Sequence, residues 1–152
     1  MTRIYSTTHI RRSPETVFDF VTIAGNWPQW HPSSLGVSGA IDHSGQPGET
    51  ITEKFLVAGR KGEVVWTVRE REAPRRWVID GVIVGRRAGG VITYTLTPRD
   101  GGTFFEREFI YPLPNLVFAV LNALFIRRRV LAESTEALRR LKQVLESVAE
   151  KV

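Results

Sequence analysis

Three side chains in this sequence have a type and setting that could do chemistry: Glu53, Arg107 and His31. Alternation over residues 50–57 separates Ile51, Glu53, Phe55 and Val57 from Thr50, Thr52, Lys54 and Leu56. The first set is the more apolar, so Glu53 is expected to face the interior. Over residues 103–111 the set Phe105, Arg107, Phe109 and Tyr111 is taken as inward, which places Arg107 inside. A buried carboxylate or guanidinium is costly alone, so the two are expected to pair with each other or with a ligand. In the second case Arg107 takes a carboxylate or carbonyl oxygen and Glu53 a hydroxyl. For Glu53 to serve as a general base, burial must raise its pKa, and a neighbouring arginine pushes the other way. His31, in Trp30-His31-Pro32, has two readings: a proton-transfer group at a cavity mouth, or a residue that closes a turn and packs. Glu53 and His31 are therefore catalytic candidates without an assigned role.

The same alternation gives Val64, Trp66 and Val68, then Trp77, Ile79, Gly81 and Ile83, then Ile92, Tyr94 and Leu96 as inward sets. Trp66 and Trp77 lie on neighbouring strands and can form a cross-strand aromatic pair, as core or as cavity wall. Tyr94 needs a partner for its hydroxyl if buried and can donate to a bound carbonyl. The expected ligand-binding set is Trp30, Glu53, Phe55, Trp66, Trp77, Ile79, Tyr94, Arg107 and Phe109. Cysteine is absent, which excludes disulfides, thiolate metal sites and a cysteine nucleophile. His9, His31 and His43 stand 22 and 12 residues apart, without the i, i+4 spacing of a helical zinc site, and no metal or other cofactor is expected. His9 and His43 read as surface residues. GRRAGG joins two strands rather than opening a helix, so it is no phosphate loop, and spacing assembles no Ser-His-Asp arrangement.

The elements that must position these residues follow a simple order. Residues 4–11 alternate with β-branched side chains throughout and read as a strand. Ser13-Pro14-Glu15 combines a capping hydroxyl, a proline where no donor is needed and an acid at the positive dipole end, so a helix starts there. It buries Val17, Phe18 and Val21 and is expected to stop at Gly25-Asn26 after about ten residues. A single turn follows, with Asn26 as its cap, Pro32 as its end, and Trp27 and Trp30 on one side. Strands are then expected at 37–41, 50–57, 63–71, 76–84, 91–97 and 103–111, joined by HSGQPG, AGRKG, EAPR, GRRAGG and PRDGG. After Pro112-Leu113-Pro114 no glycine or proline recurs, and Leu131, Ser134, Leu138, Leu141, Leu145 and Val148 mark one stripe of a long helix. Glu133, Glu136, Arg139, Arg140, Lys142 and Glu146 occupy the rest of its circumference. That helix is the only element long enough to cover the concave face of a curved antiparallel sheet, so a cavity is expected between them.

The run S-P-E-T-V-F-D-F-V after the first strand, then N-W-P-Q-W-H-P, the PRDGGT hairpin and the long terminal helix resemble the START-like (SRPBCC) superfamily of the birch pollen allergen fold. The nearest branch is the polyketide cyclase/dehydrase family, and the likeness covers essentially the whole chain. It implies an α+β helix-grip fold: a curved seven-stranded antiparallel sheet around a C-terminal helix, with two short helices after the first strand. It also implies a cavity for lipids, polyketides, sterols or hormones. The 152 residues are read as one such domain.

The function expected is binding of a hydrophobic or amphipathic small molecule, lipid-like or polyketide-like, in that cavity. The alternatives are a cofactor-free cyclase/dehydratase using the same cavity, and an adaptor for a membrane surface or partner protein through residues 116–129. The net charge of +5 does not cluster, so nucleic acid is not an expected partner. With no apolar signal core at the N-terminus and no apolar run long enough to span a bilayer, the protein is expected in the cytoplasm. Residues 116–126, apolar nearly all round save Asn122 and followed by Arg127-Arg128-Arg129, have three readings. They are a lid, a homodimer contact, or a peripheral membrane patch; a monomer and a homodimer both remain open.

Overall fold

A computed structural model describes residues 1–57, 59–86, 88–113 and 115–150, apart from the side chains of 148–150. Ala58, Arg87 and Pro114 of the expected turns, and the Val148 side chain of the expected stripe, lie outside the described residues. Seven strands form one antiparallel sheet: β1 (Thr2–Ile10), β2 (Ser34–Gly39), β3 (Thr50–Val57), β4 (Arg60–Glu72), β5 (Arg76–Ile83), β6 (Gly89–Arg99) and β7 (Gly102–Tyr111). Their spatial order is β1-β7-β6-β5-β4-β3-β2. Consecutive strands from β2 to β7 are neighbours, as short hairpin turns demand, and β1 closes the far edge on β7. This is the helix-grip fold that the sequence suggests, with α4 (Arg127–Glu150) lying across the concave face.

The helix α1 (Pro14–Thr22) starts as its residues dictate: Ser13 Oγ accepts from Thr16 N at 3.2 Å, Pro14 opens the first turn and Glu15 faces the dipole. It stops at Thr22, three residues before the expected glycine. Thr22 donates its hydroxyl to Phe18 O at 2.7 Å, and Ile23 pairs with Ser44, which draws the chain out of the helix. A 3₁₀ turn (Ala24–Asn26) leads into α2 (Trp27–Trp30). Asn26 does not cap α2: its Oδ1 accepts from Gln29 Nε2 at 3.2 Å, while its Nδ2 donates to Phe20 O at 3.1 Å. The first central strand also begins earlier than residue 37, at Ser34, with a bulge between Ser34 and Gly36.

The core fills one end of the molecule. Ala137, Leu138, Leu141 and Leu145 of α4 pack with Val17, Phe18, Trp30, Trp77, Leu96 and Phe105, all nearly inaccessible. Polar ties hold that half of the helix in place: Lys142 Nζ donates to His9 O at 2.6 Å and Arg12 Nε to Leu145 O at 2.8 Å. Glu136 pairs with Arg139 and Arg140, and Glu146 with Lys142, as helical spacing allows. His9 reaches Arg99 O at 2.7 Å, and His43 sits in an exposed cluster with Asp42 and Glu49.

Before α4 come α3 (Leu116–Leu121) and one π-helical turn (Asn122–Ile126). Asn122, the single polar residue of the apolar run, is 3% exposed and anchors the segment. It accepts from the Tyr111 hydroxyl at 2.6 Å and donates to Thr2 Oγ1 at 2.9 Å, which ties the segment to the β1 and β7 edge. Asn122→Leu leaves two buried hydroxyls without that partner, and the expected loss is about 1–3 kcal/mol in a denaturant titration. Amide exchange should rise first at residues 116–126.

Candidate ligand-binding cavity

Where the first turns of α4, ahead of Ser134, pass over the sheet, a cavity of about 580 Å³ opens between them. That volume is within the range of about 300–1,000 Å³ that suits small organic ligands. Its walls carry Phe55, Val64, Trp66, Ile79, Ile92 and Phe109 from the sheet, and Ile126 and Val130 from the helical side. Phe118 of α3 closes it from above, so the 116–126 segment does cover the cavity with part of its surface. Polar groups are set among these apolar walls: His31, Ser33, Glu53, Tyr94, Arg107, Glu133 and Ser134 reach it, with Arg86, Tyr111 and Asn115 at its rim.

Two glycines keep the cavity open. Gly81 lies opposite Trp66 on the neighbouring strand, and a Cβ there would come within 2.5 Å of the indole. A Cβ on Gly90 would come equally close to the Phe109 ring. Each ring thus lies flat on backbone that has no side chain, and the wall stays smooth where a larger residue would tip the ring into the void. The expected Trp66–Trp77 pair does not form. The β4–β5 register sets Trp66 opposite Gly81 and Trp77 opposite Arg71, with Tyr94 on its other side, so the two indoles are never cross-strand neighbours.

Trp30 and Trp77 are not cavity residues either. Both are fully buried beneath the floor. Trp77 donates to Gly45 O at 3.0 Å and stacks on Tyr94 with centroids 5.6 Å apart, while Trp27 meets Trp77 edge-on at 6.3 Å. This aromatic series fixes the position of Tyr94 from behind. Glu53, Phe55, Trp66, Ile79, Tyr94, Arg107 and Phe109 do line the cavity, as expected, and so does His31. Trp27, Ser33, Arg86, Asn115 and Tyr111 also reach it but were not among the expected residues. Trp27 belonged to the tryptophan pair and Tyr111 to the inward set of the last strand, both visible in the sequence; Ser33, Arg86 and Asn115 lie in the segments that flank the strands and the lid.

Glu53 and Arg107 do not pair. They sit on β3 and β7, with β4, β5 and β6 between them in the sheet, and both face the cavity. Glu53 accepts from Trp66 Nε1 at 3.1 Å. Burial raises its pKa; the Trp66 bond, the nearby Ser34 hydroxyl and the Arg107 charge oppose this without cancelling it. Arg107, 7% exposed, donates through Nη1 to Ser134 Oγ at 3.1 Å, and its Nε has no partner. Among the described residues no carboxylate lies within 4.0 Å of it. Tyr94, beside it, is pushed by burial up to about 12 and stays a hydrogen-bond donor at any ordinary pH.

His31 is enclosed by rings, with Trp30 at 4.0 Å and Trp27 at 6.4 Å between centroids. Burial, and then the positive charge of Arg107, hold its pKa well below 6.5, so the imidazole is neutral at neutral pH.

The arrangement is that of a helix-grip ligand-binding fold. The sequence model described as "Polyketide cyclase / dehydrase and lipid transport" matches residues 1–146, and the chain belongs to that family. No curated protein sequence matches it. Among solved structures, protein CV1439 from Chromobacterium violaceum superposes with a TM-score of 0.72 at 17% identity, over 95% of this chain and 96% of that one. The major latex-like protein 151 from Panax ginseng gives 0.70 at 9% identity, over 95% and 97%. DynU16, a protein of the dynemicin biosynthetic locus, gives 0.69 at 15% identity, over 95% of this chain and 47% of that one. At these identities the likeness is one of fold. No helix among the described residues is long and apolar enough to cross a membrane.

Two outcomes follow from this geometry. Unfolding exposes His31 and restores its ordinary pKa, so the unfolded chain binds the extra proton first. Stability should therefore fall as pH drops below about 6.5 and through the depressed folded value, and His31→Gln should flatten that part of a stability–pH curve. Gly81→Val should force Trp66 inward and reduce uptake of an apolar fluorescent probe, while the far-UV circular dichroism keeps its β-sheet signature.

Proposed function

We propose that the protein encloses an amphipathic small molecule, lipid-like or polyketide-like, whose oxygen-bearing end is held by Arg107. The observation that carries this reading is the guanidinium itself. It is buried in a mainly apolar chamber, donates to the Ser134 hydroxyl beside Tyr94 and the Phe109 ring, keeps its Nε–H unused, and forms no ion pair among the described residues. Such a charge is costly unless a partner arrives, and a carboxylate or carbonyl oxygen is the partner that matches it. Tyr94 adds a second donor beside it, and Glu53 faces a hydroxyl or other donor from β3. Phe55, Trp66, Ile79 and Phe109 supply the apolar contact between these polar ends. The family description, which names polyketide cyclases and lipid transport, supports a ligand of this character.

Native mass spectrometry of the protein from its own host, followed by release of the bound compound, tests the reading directly. An amphipathic compound bearing a carboxylate or carbonyl is the expected result. Arg107→Met should weaken a bound apolar carboxylic acid about 10–100-fold in a calorimetric titration and leave the matching alkane unaffected. Equal losses for both, or uptake of neither by the wild type, would overturn it.

A second reading is favoured by one observation, the raised pKa of Glu53 on the cavity wall. In a cyclase or dehydratase, a carboxylate of raised basicity removes a proton α to a ligand carbonyl while Arg107 and Tyr94 stabilise the enolate oxygen. His31, neutral and within the same wall, is the alternative acceptor. A rate with polyketone substrates that survives Glu53→Gln assigns the proton transfer elsewhere.

A further inference from the structure

The lid has two apolar faces, and the cavity accounts for only one. Phe118 and Ile126 point inward, but Leu116, Val117, Val120, Leu121, Leu124 and Phe125 are 45–80% exposed on the outer side. Single exposed leucines are ordinary; six such side chains within ten residues form a patch that mean surface composition does not explain. Arg127, Arg128 and Arg129 follow at once, all exposed and none in an ion pair with a described residue. Between Glu108 and Glu133 the sequence holds no acidic residue at all.

We infer that residues 116–129 dock the protein on an anionic lipid bilayer, with the outer face of the lid in the headgroup region and the three arginines on lipid phosphates. The charge pattern selects this occupant. A second copy of the same face would bring two Arg127–Arg129 runs together across a two-fold axis, with no carboxylate from the segment to neutralise them. An anionic membrane offers both an apolar boundary for the side chains and negative charge for the guanidinium groups. The lid is one helix thick, so docking puts the cavity a single layer of side chains from the lipid. This inference does not depend on what occupies the cavity.

Co-sedimentation with phosphatidylcholine vesicles, with and without phosphatidylglycerol, tests it on the full chain. The wild type should bind the anionic vesicles about tenfold or more tightly than the neutral ones, and added salt should release it. Arg127→Gln/Arg128→Gln/Arg129→Gln should bring binding down to the neutral-vesicle level. Leu124→Ser/Phe125→Ser should weaken binding to both kinds of vesicle. Neither variant alters a side chain that lines the cavity, so probe uptake and circular dichroism report whether the fold is intact. The inference is overturned if the wild type stays in the supernatant with anionic vesicles, or if the triple arginine variant binds as the wild type does. It is also overturned if sedimentation velocity shows a dimer that Leu124→Ser/Phe125→Ser dissociates, since the patch is then a contact between copies.

Discussion

Ser134 is the point on α4 at which packing gives way to empty space. Its hydroxyl meets Ser6 of β1 at 2.7 Å and the Arg107 guanidinium of β7 at 3.1 Å, and so pins the helix to that edge of the sheet. On one side of it, Ala137, Leu138, Leu141 and Leu145 sink into the core; on the other, Val130 and Ile126 face the cavity. One helix cannot fill the concave face of seven strands at native packing density. The chain resolves this by filling one end with four tryptophan and phenylalanine side chains and leaving the other hollow. A serine suits the crossing point because it is small enough for close approach and has a hydroxyl for the buried arginine.

Electrostatics then divides the hollow end. Arg107 and Glu53 are kept apart by the strand order, and among the described residues each hydrogen-bonds a neutral partner, Ser134 and Trp66. A closed ion pair would satisfy both and leave nothing for a ligand, whereas separated charges in the walls of an apolar chamber reward a molecule that spans them. Burial is the larger cause at both groups; the same Arg107 charge adds to it at His31 and tempers the rise at Glu53.

The parts of this that a sequence discloses are those governed by local periodicity. Alternation assigned the inward faces of β3, β4, β5, β6 and β7, and with them Glu53, Trp66, Tyr94 and Arg107, because a period of two is a property of each strand alone. Pairing between strands is not local. Neither the separation of Glu53 from Arg107 nor the register that sets Trp66 opposite Gly81 rather than Trp77 leaves a mark in either strand's own pattern. Trp30 and Trp77 show the same limit differently. Both point inward, yet whether an inward residue is core or wall depends on where α4 touches down, which was decided by Ser134 and the leucines beyond it. Gly81 stood in the inward set as a small residue, and its use as a bed for Trp66 emerges only when the two strands are set in register.

Asn122 shows how a lid can be apolar on both faces and still hold its place. Hydrophobic contact alone has no direction, and a helix greasy all round could rotate or slide over the opening. The π turn brings one amide inward to the Tyr111 and Thr2 hydroxyls, and that buried pair of hydrogen bonds fixes the rotation of the segment. Once the rotation is fixed, Phe118 and Ile126 must face the cavity and Leu124 and Phe125 must face outward. The outer apolar surface is thus a consequence of how the lid is anchored rather than a failure to bury it. A lid held near its middle by the two hydrogen bonds of one amide, with exposed apolar side chains on its outer face, has few of the buried contacts that resist local opening.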